Sequence, residues 1–334
     1  MKSFVTVFNS FSLHLSLISL ILLGGCSDVG KIPPNAIEHA VESAYTASIS
    51  NDGKYSLVSS QHHGLSLWDI EQNALKYQWS QQDSENNHVL MTAIAPNNSH
   101  ALSADLQNFV LWDIDTGKAA GFIKIDSGNI RDIAVSNNGE RILIGKSDGK
   151  AVVIETLTGR RIEFIGHQEK INTVDISANG KFALTGSNDY VAYLWNTDTG
   201  QVVHRFNHPS RVTKVAFDQA KKYVFTADSQ KHAQIWDVVT GKPVSRLQYL
   251  SRQNVFSTVR FNADSTLLAT GAPTRQVALW DIKSGEKLQK WQVAKKRHKR
   301  SKGAVVHSVA FINNDKQLLT ESSSGLAETW DIDK

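Results

Sequence analysis

A tryptophan followed by an acid or an amide recurs along the chain at an almost constant interval. The series contains Trp68, Trp112, Trp195, Trp236, Trp280 and Trp330, and Ile154 fills its one gap. Successive members lie 44, 42, 41, 41, 44 and 50 residues apart. A repeat of this length holds one small four-stranded sheet, which cannot bury its apolar faces without neighbours. The 334-residue chain is therefore expected to fold as an array of seven such units.

Two turn positions keep the same phase as the tryptophan. Five residues after it comes a residue that tolerates a positive φ, namely Asn73, Gly117, Gly159, Gly200, Gly241 or Gly285. Fifteen residues before it lies a second turn, which is clearest at Gly53, Gly139 and Gly180. Between the turns, segments such as 171–176 and 191–195 have the composition of short strands. The pattern predicts an all-β fold, a seven-bladed β-propeller of four-stranded antiparallel blades.

The two ends of the repeat array predict how the ring closes. The last copy ends at residues 330–334, directly after its third strand, and a three-stranded blade would leave an exposed edge. The segment 36–40 has the alternation that a fourth strand requires. We therefore expect the N-terminal strand to close the last blade, so that residues 36–334 form the propeller.

Over residues 36–334 the chain resembles the WD-repeat family, and its fourth copy carries the resemblance best. That copy runs from Gly166-His167 through Asp189 to Trp195-Asn196. In the family, a histidine, a strand serine or threonine, a turn aspartate and the tryptophan form a hydrogen-bonded group inside a blade. The resemblance assigns these structural roles here to His167, Thr185 (or Ser187), Asp189 and Trp195. In other copies the set is incomplete, because Gln230, Thr274 and Ser324 replace the turn aspartate.

The first 25 residues have the features of a signal peptide, with Lys2 ahead of an apolar stretch. They end in Leu23-Gly24-Gly25-Cys26, which resembles a bacterial lipobox and implies a lipid on Cys26, the only cysteine of the chain. Several acyl chains together anchor a protein stably to a membrane. By the same resemblance, Ser27 would favour the outer membrane, facing the periplasm, over the inner membrane, and residues 26–35 would form a tether. An uncleaved signal anchor is the alternative, although the apolar stretch is short for a membrane span.

The sequence contains no constellation typical of an enzyme, a cofactor site or a metal site. His204 and His208 are four residues apart, a spacing that pairs ligands on a helix but not on a strand. There is no phosphate-binding glycine loop and no Gly-x-Ser-x-Gly motif. Without Lys2 and the six Lys/Arg residues of 295–302, 29 basic residues stand against 32 acidic ones, so the bulk charge does not call for nucleic acid.

Two groups of residues are candidates for a binding face. The first is the basic loop, which contains Lys295, Lys296, Arg297, Lys299, Arg300 and Lys302 and falls in the 50-residue interval between the last two repeats. It is either a solvated loop or a contact for an anionic envelope polymer, lipid or protein. The second comprises the positions expected to rim the central channel, which are Met91, Arg131, Asn172, Thr213, Ser257 and His307.

These features favour a non-catalytic scaffold for protein partners, attached to the bacterial envelope by lipid. A related possibility is the propeller lipoprotein of outer-membrane protein assembly, whose tryptophans end the outer strand. Only Trp79 and Trp291 do so here, which ranks that resemblance lower. A propeller enzyme (a hydrolase, lyase or quinoprotein) and a sensor of a glycan or small ligand in the channel are the alternatives from other classes.

Overall fold

The structure, a computed structural model, describes residues 33–81, 88–125, 127–249, 255–296 and 303–333. Over these residues the chain forms 28 β-strands and one short 3-10 turn, Asn137–Gly139. The strands make seven separate four-stranded antiparallel sheets, which confirms the predicted fold class. None of the helical structure in these ranges is long and apolar enough to span a membrane. The predicted signal peptide, Cys26 and residues 297–302 of the basic loop lie outside the described residues.

The first strand, β1 (Ala36–Glu38), belongs to the last blade, and the next three blades use their strands in chain order. Blade 1 consists of β2 (Ala44–Ile49), β3 (Tyr55–Ser60), β4 (Gly64–Asp69) and β5 (Ala74–Trp79). Blade 2 consists of β6 (Met91–Ile94), β7 (His100–Ala104), β8 (Asn108–Asp113) and β9 (Ala119–Lys124). Blade 3 consists of β10 (Ile130–Val135), β11 (Arg141–Lys146), β12 (Ala151–Glu155) and β13 (Arg161–Phe164).

Blades 4 to 6 repeat this order. Blade 4 consists of β14 (Ile171–Ile176), β15 (Phe182–Ser187), β16 (Val191–Asn196) and β17 (Val202–Asn207). Blade 5 consists of β18 (Val212–Phe217), β19 (Tyr223–Asp228), β20 (Ala233–Asp237) and β21 (Pro243–Arg246). Blade 6 consists of β22 (Thr258–Phe261), β23 (Leu267–Gly271), β24 (Gln276–Asp281) and β25 (Lys287–Gln292).

Blade 7 joins the two ends of the chain, as the sequence predicted. It contains β26 (Val306–Ile312), β27 (Gln317–Ser322) and β28 (Leu326–Asp331), and β1 pairs with β28 as its outermost strand. In this pairing Ala36 lies opposite Glu328, and the amide of Thr329 donates to the carbonyl of Asn35 at 3.0 Å. Because β1 contributes the missing strand, the edge of β28 is hydrogen-bonded instead of exposed.

The first strands of the blades lie next to one another around the ring, and β26 contacts β2 to complete it. Side-chain hydrogen bonds connect neighbouring inner strands to each other. Asp132 accepts from the amide of Val174 in the next blade at 2.9 Å, and Ser308 accepts from the amide of Ile49 at 3.0 Å. The inner strand of each blade pairs with another strand on one side only. These side-chain bonds satisfy backbone amides on its other side.

The turns and connections of the propeller fall on two faces. The turns between the first and second and between the third and fourth strands share one face, because each strand reverses direction. The turns between the second and third strands and the connections between blades share the other, which we call the narrow face.

A small residue nine positions before the tryptophan sets the packing of one blade on the next. At Gly145, an added Cβ would lie 2.6 Å from the side chain of Val174 in the neighbouring blade, which is too close. Blade 7 has Glu321 at this position, and it is fully buried. Its carboxylate accepts from His39 and from Ser56, 2.6 Å away. The closing joint therefore has a charged centre where the joint at Gly145 has apolar contacts with Val174 and Ile171.

Candidate functional site

The central channel holds a polar cavity of about 320 Å³ lined by the inner strands. Of the predicted rim residues, Met91, Ser257 and His307 line this cavity, whereas Arg131, Asn172 and Thr213 do not. Nε2 of His307 lies 3.2 Å from the carbonyl of Ala44, and burial lowers the pKa of the ring. Arg131 is exposed, away from the cavity wall. Asn172 and Thr213 are partly buried and hydrogen-bonded within the fold, so only half of the predicted rim positions face the channel.

Acidic side chains do reach the channel, at positions that the sequence reasoning did not select. Asp175 accepts from the amides of Ile176 and Phe217 at 2.8 and 2.7 Å, and burial raises its pKa. Asp132 has the equivalent role at the amide of Val174. Both carboxylates therefore accept hydrogen bonds from backbone amides of the inner strands.

His167, Thr185 and Asp189 form a buried hydrogen-bonded set in blade 4. Nδ1 of His167 lies 2.9 Å from Asp189 Oδ2, and Nε2 lies 2.9 Å from the hydroxyl of Thr185. Burial alone would raise the pKa of Asp189, but its bonds to His167 and to two backbone amides hold the pKa below its usual value. Trp195 stacks on Phe164 with ring centroids 4.7 Å apart, and its Nε1 atom has no hydrogen-bond partner among the described residues.

Blade 5 contains a related group that the sequence reasoning missed. His208 stands where blade 4 has His167, and its Nε2 atom lies 2.9 Å from the hydroxyl of Thr226. The carboxylate comes from Asp228, the last residue of β19, instead of from the turn position that Gln230 occupies. The clue in the sequence was an aspartate two residues before the expected one.

The two described residues of the basic loop, Lys295 and Lys296, differ in their contacts. Lys295 is exposed and makes no hydrogen bond or ion pair with the described residues. Lys296 is mostly buried, and its Nζ atom donates to the carboxylate of Glu38 and to the carbonyl of Ala40, the latter at 2.6 Å. Lys296 therefore fastens the N-terminal strand, a role that the charge pattern alone did not reveal.

The backbone of Tyr190 is strained on the narrow face of blade 4. Five residues before the tryptophan position, blades 3 and 7 have Gly149 and Gly325, with φ of +84° and +75°. Tyr190 adopts φ of +69° at the same position, although a side chain there costs about 1–2 kcal/mol. Arg275 of blade 6 shares the strain, but its guanidinium donates twice to the carbonyl of Val293.

Tyr190 has no such compensation. Its side chain is 52% exposed and makes no hydrogen bond or ring contact with the described residues. Strained residues without a structural partner are typical of functional positions. The sequence offered one signal for this, an aromatic residue at a turn position where glycine is the better fit.

Tyr190 borders an open cleft of about 490 Å³ between blades 4 and 5. The cleft is also lined by Glu169, Asn188, Asp189, Ser210, Arg211 and Ser229. The hydroxyls of Ser210 and Ser229 lie 2.8 Å apart, and the side chain of Arg211 is exposed without an ion pair among the described residues. The cleft therefore presents an exposed ring, two hydroxyls, one guanidinium and the carboxylates of Glu169 and Asp189.

The architecture of seven four-stranded antiparallel sheets in a closed ring defines a β-propeller. The family model described as WD domain, G-beta repeat matches residues 159–196 and 200–237. Each match begins ahead of the outer strand of one blade and ends at the third strand of the next, so a repeat spans two blades. The chain is a seven-bladed β-propeller in which two adjacent repeats match the WD-repeat model. No curated protein is similar enough to be matched with it. Propellers of this kind are typically protein-interaction scaffolds and are usually not enzymes.

Proposed function

We propose that this chain is a non-catalytic scaffold that binds a protein segment in the cleft beside Tyr190. The observation that carries the proposal is the strained, exposed backbone position of Tyr190, where a glycine would remove the strain. A residue kept at a conformational cost and without internal contacts is explained by a contact outside the chain. The free guanidinium of Arg211 would add a salt bridge to an acidic group of the partner.

The scaffold would be attached to the bacterial outer membrane, facing the periplasm, by a lipid on Cys26. Ala36, where β1 starts, lies ten positions after Cys26. A fully extended segment of that length reaches at most about 36 Å, which would keep the ring close to the membrane. Because β1 is hydrogen-bonded into blade 7, the tether would lead directly into the propeller.

Crosslinking in intact cells, followed by affinity capture, tests the binding surface. We expect the native protein to capture a specific partner and the double variant Tyr190→Gly/Arg211→Ser to lose it, with circular dichroism unchanged. A variant with Lys295, Arg297, Lys299, Arg300 and Lys302 changed to Ser tests the basic loop as a second surface, for an acidic protein or an anionic envelope polymer; Lys296 is kept because it holds β1. A partner that the double variant retains and the loop variant loses would contradict the proposed cleft.

Labelling with radioactive palmitate and fractionation of the envelope test the anchor. We expect the native chain to be labelled and recovered with the outer membrane, and Cys26→Ser to be unlabelled. Ser27→Asp is the matched variant, because it keeps Cys26 and should move the labelled protein to the inner membrane. A Cys26→Ser protein that is processed and membrane-bound like the native one would contradict lipidation.

A further inference from the structure

At several joints between neighbouring blades, a side chain of the fourth strand reaches the turn after the third strand of the next blade. It lies opposite the residue that precedes the tryptophan position. Between blades 1 and 2 it is Tyr77, whose ring leaves no room for a Cβ at Gly117 and whose hydroxyl donates to the carbonyl of Asp115 at 2.9 Å. Between blades 4 and 5 it is His204, whose Nε2 atom lies 3.0 Å from the carbonyl of Val238. The equivalent contacts of the next two joints connect Ser245 with Ile282 and Gln289 with Asp333.

The joint between blades 2 and 3 lacks this side chain, because Gly121 occupies its position. Gly121 of β9 lies opposite Leu111, just as Tyr77 of β5 lies opposite Leu67. The φ of Gly121 is not positive, and an added Cβ would meet nothing within 4 Å among the described residues. The backbone therefore does not require a glycine here. A glycine inside a strand weakens the strand and often marks a place that another group approaches closely.

The absent side chain leaves a cavity of about 110 Å³ between blades 2 and 3. It opens at the surface, since its lining includes the exposed residues Ala120, Gly159 and Arg161. A Cβ added at Gly159 would meet nothing within 4 Å among the described residues, whereas at the equivalent Gly117 it would lie 2.5 Å from the ring of Tyr77. The apolar wall of the cavity consists of Phe109, Leu111, Ile123, Ile142 and Ile154. The joint thus contains an apolar pocket with an open mouth.

The turn at the mouth of this pocket has the same conformation as the turn that receives Tyr77. In each turn the glycine amide donates to the carbonyl four residues earlier at 2.9 Å, and φ is +70° at Gly159 and +71° at Gly117. The carbonyl of Leu157 therefore takes the place of the carbonyl that accepts from Tyr77. Leu157 also has an apolar side chain that is 91% exposed.

We propose that this pocket binds a phenol group, supplied by a tyrosine of a protein segment or by a small phenolic molecule. The ring lies against the apolar wall, in the place that Tyr77 fills one joint earlier, and its hydroxyl donates to the carbonyl of Leu157. Native cores contain few voids larger than a water molecule, and an apolar cavity of about 150 Å³ takes up benzene. The pocket beside Gly121 is smaller, but its open mouth means that it need not enclose the whole ring.

The test uses the whole chain with 4-methylphenol, which is the tyrosine side chain without its backbone, as the probe. We expect saturation-transfer NMR to detect binding with a Kd on the order of 1 mM, because a ligand of so few atoms binds weakly. In Gly121→Tyr the new ring fills the pocket, so binding should be lost and Tm should rise by about 2–4 °C. Lys290→Tyr is the matched control, because it adds a tyrosine at an exposed position of β25 and should leave binding of the probe unchanged.

Competition with two capped tripeptides, Gly-Tyr-Gly and Gly-Ala-Gly, distinguishes the two sources of the phenol. Displacement of 4-methylphenol by the tyrosine peptide alone would assign the pocket to a protein segment. Retention of the probe in the presence of both peptides would assign the pocket to a small phenolic molecule.

Absence of binding to the native chain at about 10 mM 4-methylphenol, ten times the expected Kd, would overturn the proposal. Binding that survives in a folded Gly121→Tyr variant would also overturn it, because the probe would then lie elsewhere. If Gly121→Tyr disrupts the blade, Gly121→Leu fills the deeper part of the pocket with a shorter side chain and should also abolish binding. These measurements do not involve Tyr190 or Arg211, so this proposal and the proposed function can fail separately.

Discussion

His167 and His208 occupy the same position in two adjacent repeats, and the Nε2 atom of each lies 2.9 Å from a strand threonine. Their Nδ1 atoms have different surroundings. His167 reaches Asp189 at 2.9 Å, whereas His208 stands 3.7 Å from Asp228, whose other oxygen binds turn amides. One histidine therefore completes a structural network, while the same residue type in the next blade belongs to a looser polar cluster with Asp228 and His232.

Replacing His167 tests the structural network. The change His167→Ala leaves the hydroxyl of Thr185 and the carboxylate of Asp189 without their partner, so we expect a loss of about 2–4 kcal/mol in the free energy of unfolding. Urea unfolding measures it. The control is His62→Ala, on a side chain that is 52% exposed, and it should change stability by less than about 0.5 kcal/mol. Equal losses in both variants would argue against the network.

The strain at Tyr190 predicts a variant that gains stability and loses binding. In Tyr190→Gly the left-handed backbone is relaxed, so Tm should stay the same or rise by the equivalent of up to about 1 kcal/mol. The matched change Arg275→Gly relaxes the same strain but removes two hydrogen bonds to Val293, and it should lower stability by about 1 kcal/mol. A clear drop in Tm for Tyr190→Gly would show that its side chain supports the fold.

The buried carboxyl of Glu328 predicts how stability changes with pH. Burial raises its pKa from 4.5 to about 7 in the folded chain, so the unfolded chain ionises first as pH rises. Its contribution is complete below about pH 4.5 and is lost towards pH 7, by about 3 kcal/mol at most. Glu328→Gln removes this dependence, so its stability relative to the native chain should rise between pH 5 and pH 8. An equal rise in the exposed control Glu163→Gln would contradict the assignment.

Lys296 predicts local stability at the closing strand. In Lys296→Met the bonds to Glu38 and Ala40 are lost, so β1 should separate from β28 more often. We expect the amide of Thr329, which donates to Asn35, to exchange hydrogen about tenfold faster, or about 1.4 kcal/mol of local opening. Lys295→Met is the control, because the neighbouring side chain is exposed. Similar exchange rates in the two variants would show that Lys296 does not stabilise the pairing of β1 with β28.

Much of the fold could be predicted from the sequence, and the reasons are local. Strands such as Ile171–Ile176 and Val191–Asn196 lie where alternation and turn residues indicated them. The candidate site was less predictable. Spacing brought attention to His204 with His208, but His204 binds the carbonyl of Val238 and His208 turns towards Asp228. The carboxylate of blade 5 lies two residues earlier in its repeat than that of blade 4, so the histidines of the two blades have different neighbours.

The sequence by itself determined the number of blades, their strands and the closure by the N-terminal segment, because each repeat encodes its own turns at fixed intervals. Only the tertiary structure decided which distant side chains share a buried space. Glu321 contacts His39, and Asp228 contacts His208 and His232. The repeat pattern of the sequence does not indicate these pairs. The physical reason is that such encounters depend on strand register, on bulges in the inner strands and on the depth at which each blade packs on the next.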